Sequence, residues 1–361
     1  MPAAAAATAN PYRHPLQEYH PDETVVQRWF APVWGGANLV GFFAHLGSIL
    51  YAAIAARLEL TMETADVKPQ LCNGEVATNL DNLVGVLAIE GLGRSSAFSL
   101  GWTIIAFHAL SASFHLVAAS ALLLHACSKF GENNALFRWY QYGLYHNLAL
   151  WRWLEYFFSA SIMMLILGGM MGVRELRSLQ AQVGGMATVI LFGWLTDLIS
   201  SPLIEEHDTP VGRLTFVRRW KPHTRLVRWQ AHLYGYIPYA LVWVLTFRGY
   251  NNALDAFGKW LPPTSHQMVI GTFVAFTVFG VVQAVLQVLP FGPSLYAWGE
   301  LVYIVLSFAA KSNLGILAIT EALVDGARYD SLLFYQSNAS LRTCQDYERL
   351  APEELVVGAP G

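Results

Sequence analysis

Charge is what this sequence has least of. Lys and Arg number 22 and Asp and Glu 25 in 361 residues, 13% together, where a soluble domain carries about 25%. That argues against a soluble enzyme. The net charge of −3 creates no basic field, so nucleic acid is not an expected partner. Three cysteines without CxxC or CxxH spacing exclude a disulfide scaffold and give no zinc signature. No Walker loop, GxSxG elbow, HExxH or GxGxxG at a strand-to-helix junction is present, so neither an enzyme nor a metal site is expected. The opening MPAAAAATAN has no basic cluster and no apolar core ahead of a cleavage site, so a cleaved signal peptide is not expected.

What is abundant is apolar sequence, 55% of the chain. A membrane-spanning helix needs roughly 20 mostly apolar residues. Seven stretches qualify: 33–56, 97–125, 148–173, 178–200, 229–248, 267–290 and 297–324. None alternates with period 2, which favours helices over a membrane β-barrel. The expected architecture is all-α, a seven-helix bundle over 33–324 in the lipid bilayer, with an N-terminal segment 1–32 and a C-terminal tail 325–361.

Two connections are long and polar. Residues 57–96 carry Glu59, Glu63, Asp66, Glu75, Asp81 and Glu90, and are long enough for a small sheet or helix of their own. Residues 201–228 carry Arg213, Arg218, Arg219, Lys221, Arg225 and Arg228. Basic residues in short loops stay cytoplasmic, so the second connection and the N-terminus are expected inside, the first connection and the C-terminus outside. Cys72 and Cys344 then fall on the outer side, where a bond between them is an open question.

A charge inside a span costs about 2.5–3.5 kcal/mol on the insertion scale, so each is a functional candidate. Arg152 and Glu155 lie in the third stretch, Asp197 at the end of the fourth, Glu300 and Lys311 in the seventh. Lys311 has ten uncharged residues before it and nine after, too far from either end to reach water. It is either a structural lysine paired with a carboxylate or an amine that forms a Schiff base with an aldehyde. Either way it needs a negative partner, and Glu155 is the expected one, with Arg152 three residues earlier and Ser159 one turn later. Ser307 stands one turn before Lys311 on the same face. His45, His108 and His115 also fall within spans, the last two sharing a face. Tyr156, Met163, Trp194, Tyr239, Phe276 and Phe279 offer a lining for a rod-shaped apolar chromophore, although most such aromatics only pack.

Several of these segments together resemble the heliorhodopsins. GELVYIVLSFAAKSNLGILA in the seventh stretch resembles their GE…YIxLSLxAKSxLA pattern; RWLEY and FSASIMM resemble RWxEYSxSxSxM. ATVILFGWLTD, YGYIPYALVW and ALSASFHL are similar to the family's LFGWLxE, FGxxxGxVPW and LSAxxH segments. The resemblance implies a seven-helix protein with its N-terminus inside, carrying all-trans retinal as a protonated Schiff base on Lys311, with Glu155 as counterion. It places Ser307, Ser159, Arg152, His45 and His115 around that linkage, with His108 as the alternative to His115, and Tyr156, Met163, Trp194, Tyr239, Phe276, Phe279 and Gln283 around the polyene. Asp197 stands where the family has a glutamate and Tyr239 where it has a tryptophan. The resemblance also implies a homodimer.

The function expected is light sensing, with a slow conformational signal to a downstream partner. Eleven residues after Glu155, where microbial pumps carry a second carboxylate, stands Ile166, so the pump pattern is absent. A light-gated proton channel is the alternative, and a seven-helix protein without a chromophore is a third reading that requires Lys311 to be structural.

Overall fold

The computed structural model describes residues 18–19, 30–55, 61–71, 87–127, 135–171, 173, 176–201, 203–208, 214–219, 224–257, 263–288 and 293–320. Long helices dominate: α1 (Ala31–Ala55), α2 (Leu100–Cys127), α4 (Leu150–Met170), α5 (Leu176–Ser200), α6 (Thr224–Phe257), α7 (Pro263–Gln283) and α8 (Pro293–Ala318), with a short α3 (Ala135–Tyr145) before α4. In hydrocarbon every backbone N–H and C=O must be satisfied within its own segment, which a helix of apolar residues achieves.

Each of the seven expected stretches contains a long helix, although 97–99 belong to a strand, and among the described residues six of these helices are long and apolar enough to cross a membrane. The seventh, α6, covers 229–248 within 34 helical residues, about 51 Å at 1.5 Å per residue. Its polar positions, His232, Arg248, Asn251 and Asn252 among them, leave it less apolar than the other six. Helix α3 was not expected from any span. Its Phe137, Tyr140 and Leu144 recur at helical spacing and are buried.

The connections correct a purely helical picture. Strands β2 (Thr61–Leu71) and β3 (Leu87–Ser99) form an antiparallel pair that runs directly into α2. On the basic connection, β4 (Leu203–Asp208) pairs with β5 (Leu214–Arg219), and β5 also pairs with β1 (Glu18–Tyr19). This pairing puts Glu18–Tyr19 beside the strands of the basic connection. Cys72 and Cys344 lie outside the described residues.

Helix α4 is buried along most of its length. The turn ahead of it sets its register: Asn147 has φ 51°, a left-handed conformation that Asn tolerates better than most residues. Leu148 N donates to Gly143 O at 2.8 Å, and the missing side chain of Gly143 leaves room for the Trp151 ring. The chain thus enters α4 with Arg152 and Glu155 facing inward. α5 and α6 pack closely, since a Cβ on Gly185 would meet Val242 at 2.6 Å. Pro238 interrupts the α6 hydrogen-bond ladder beside the chamber described next, and α7 ends in a π-helical turn, Ala284–Val288, directly after Gln283. Such turns concentrate at functional sites.

A buried lysine at the end of an apolar chamber

Lys311 of α8 is 3% exposed. Its Nζ donates to Glu155 Oε1 of α4, and the same oxygen accepts a hydrogen bond from Ser111 Oγ of α2 at 2.9 Å. The Tyr156 ring lies 5.2 Å from Nζ, in cation–π range. A carboxylate with two donors in a dry site neutralises a buried cation that would otherwise be prohibitive.

From Lys311 a chamber extends between α4, α5, α6, α7 and α8, and its lining is mostly apolar and aromatic, as small-molecule sites usually are. Nine of the expected residues line it: Tyr156, Ser159, Met163, Tyr239, Phe276, Phe279, Gln283, Ser307 and Lys311. Trp194 does not. Its neighbour Gly193 faces the chamber, and there the Trp153 ring packs so closely that a Cβ on Gly193 would meet it at 2.5 Å. Trp153 thus takes the place expected for Trp194. Tyr239 is held by Thr277, 2.7 Å from its hydroxyl.

Two polar clusters adjoin the lysine. In the first, Arg152 Nη1 donates to Glu300 Oε2, and Nη2 donates to Asp197 Oδ2 at 3.1 Å. Trp153 Nε1 donates to the same Asp197 oxygen at 2.6 Å, and the guanidinium stacks 4.0 Å from the centroid of Tyr303. Arg152 therefore neighbours the lysine site, but its charge is committed to Glu300 and Asp197. A small, largely apolar cavity whose lining includes Arg152, Glu155, Glu300, His115, Asn38 and Ser307 lies between this cluster and Glu155.

The second cluster is histidine-rich. His45 Nδ1 and His108 Nδ1 share a hydrogen bond of 2.9 Å. His115 Nδ1 lies 2.9 Å from Asn38 Oδ1, and the His45 and His115 rings stack at 5.5 Å. His108 thus joins His45 and His115 rather than replacing His115. It reaches α8 because Gly315, one turn after Lys311, has no side chain; a Cβ there would overlap the His108 ring. Sequence reasoning missed Ser111 and Asn38. Ser111 was findable, since His108, Ser111 and His115 lie at i, i+3 and i+7 on one face of α2.

The heliorhodopsin family model matches residues 90–323, more than half of the chain. The chain belongs to the heliorhodopsin family. It is thus a retinal-binding, light-responsive protein of the membrane. Among solved structures this heliorhodopsin is similar to the rhodopsin of Exiguobacterium sibiricum, with 11% identity and a TM-score of 0.50 over 81% of this chain and 96% of that one. It is also similar to a structure described as thermophilic rhodopsin, with 11% identity and a TM-score of 0.47 over 84% and 96%. At such identity the first likeness speaks to the fold alone. A comparison with curated proteins finds no match.

The residues present fit retinal. The chamber is apolar and aromatic, has an amine at one end, and carries on its wall a buried hydroxyl, Ser159 Oγ, without a protein partner.

Proposed function

We propose that this heliorhodopsin is a light sensor in which Lys311 Nζ carries all-trans retinal as a protonated Schiff base and Glu155 is its counterion. The observation that supports this most is the Lys311–Glu155 pair, buried at the end of an apolar chamber. Retinal supplies a polyene that isomerises in light. Tyr156, Met163, Phe276 and Phe279 would line its path, and Ser159 and Ser307 offer hydroxyls on the wall that Lys311 shares. Glu155 balances the charge at Nζ with Ser111 fixing the carboxylate, and the Asn38–His115–His45–His108 group offers ring nitrogens on that flank for a departing proton.

Ile166 is buried and apolar where a pump would need a second carboxylate, which supports sensing over outward pumping. We further assign the face with β1, β4 and β5 to the cytoplasm, because it carries the basic connection. A homodimer, the commonest closed symmetry, and a downstream signalling partner complete the proposal.

The test is purification with and without all-trans retinal. A visible absorption band is expected only with retinal, and Lys311→Ala is expected to fold and stay colourless; a coloured Lys311→Ala protein would overturn the assignment. Glu155→Gln should shift the band to the red, or into the near-ultraviolet if the nitrogen loses its proton. Whole-cell photocurrents at two voltages separate sensing, with no current, from the channel reading.

A further inference from the structure

His232 is a buried titratable group that none of these roles uses. It lies on α6, 7% exposed, and lines the chamber beside Gln283 of α7 and Thr196 of α5. α8 packs on α1, α4 and α7, whereas α6 packs chiefly on α5. The chamber therefore separates His232 from Lys311, and among the described residues these two carry the ionisable nitrogens of its wall. The His232 ring meets Tyr236 edge-on, with centroids 5.3 Å apart, and Trp229 at 6.4 Å.

Each element packed around His232 presents charged or titratable groups. From α5 the nearest carboxylate is Asp197, already bonded to Arg152 and Trp153. From α7 comes Gln283, whose Nε2 donates to Gly193 O at 2.6 Å and whose amide neighbours both His232 and Asp197. On α6 itself stand Tyr236 and Tyr239, with Arg228 one turn earlier in sequence. Across the chamber, α4 presents Arg152, Glu155 and Tyr156, and α8 presents Glu300, Tyr303 and Lys311.

We propose that His232 sets the colour of the pigment from the far wall of the chamber and makes that colour respond to protons. This rests on Lys311 carrying retinal. Excitation of a protonated polyene imine moves positive charge from the nitrogen toward the opposite end. A proton on His232 opposes that movement and shifts absorption to the blue. A proton on Glu155 removes an anion from the nitrogen end and shifts absorption to the red. The two titrations thus carry opposite signs.

The experiment uses the full chain regenerated with all-trans retinal, with spectra taken from about pH 4 to about pH 9, a range that brackets the ordinary histidine value of about 6.5. A one-proton blue shift on acidification is expected. His232→Gln, which cannot ionise, should abolish it and keep the pigment, with His232→Phe as a second variant should the first fold poorly. Asp197→Asn should retain the shift. Histidine nitrogen NMR on the retinal-free protein gives an independent readout: a resonance absent from His232→Gln should titrate in the same range. A blue shift that survives in both His232 variants, one lost only in Asp197→Asn, or no blue shift at all would overturn the proposal. Folded protein that stays colourless in every form would instead overturn the assignment of Lys311.

Discussion

On one flank of the Lys311–Glu155 pair the bundle buries a guanidinium between two carboxylates; on the other it buries three histidines and an asparagine. Arg152, Asp197 and Glu300 are all at most 5% exposed, and their stability depends on each charge having its opposite within contact distance. His45, His108, His115 and Asn38 are also buried, but they are joined by hydrogen bonds that neutral rings can make. The first arrangement joins α4, α5 and α8 through one cation, whose loss leaves two buried carboxylates unpaired. The second consists of rings that, when neutral, each keep one nitrogen able to accept a proton arriving from outside the cluster. Under the proposed function the first cluster anchors the helices and the second holds protons.

The comparison breaks most sharply at Arg152. Arg152→Ala leaves Glu300 and Asp197 buried without a cation, and loss of one partner from a buried ion pair costs about 3–5 kcal/mol. A large fall in the thermal midpoint in detergent is expected. Replacing Arg152, Asp197 and Glu300 together by apolar residues of similar volume should restore much of that loss, because the expensive state is the unpaired charge. If the single and triple replacements behave alike, the cluster is not an electrostatic anchor.

The histidine flank should yield less. His108→Leu removes the partner of His45 Nδ1, and an unsatisfied buried polar group costs about 1–3 kcal/mol. Folding and colour should survive while the return of the proton after a flash changes its rate. Gly315→Ala should act in the same direction, because the new methyl displaces the His108 ring from α8, with a cost typical of overpacking, about 1–3 kcal/mol. Unchanged flash kinetics in both variants would remove His108 from the proton-holding group.

How far sequence carries this comparison depends on the kind of residue. Lys311, Glu155, Arg152 and Glu300 stand out because a charge in an apolar run is anomalous wherever it faces. Asn38 and Ser111 do not, since a small polar residue in a span is ordinary until its neighbours across the helix interface are known. Trp153 rather than Trp194 lines the chamber, where Gly193 leaves room for its ring, and depth along the span alone does not tell two such aromatics apart. Helix α3 was missed because its 11 residues fall below the length of any span. The strands of the two polar connections carry no clear period-2 pattern, and their pairing is set by the helices they join.

Asn38 tests the smallest difference between the flanks. Its Nδ2 donates to Trp34 O at 2.9 Å on its own helix, while its Oδ1 faces His115 Nδ1. The side chain therefore selects one tautomer of His115, with the proton on Nδ1 toward Asn38, and leaves Nε2 as the nitrogen able to accept another. Asn38→Leu removes a single hydrogen bond on each side, about 0.5–1.5 kcal/mol in stability, and frees the tautomer. Asn38→Asp should do the reverse, placing an anion beside His115 and favouring a second proton on its ring. Flash kinetics of the two variants should therefore diverge in opposite directions from the parent, with little change in colour because Asn38 does not line the chamber. If both variants alter the kinetics in the same direction, Asn38 is a packing contact and the proton-holding role rests on His45 and His108 alone.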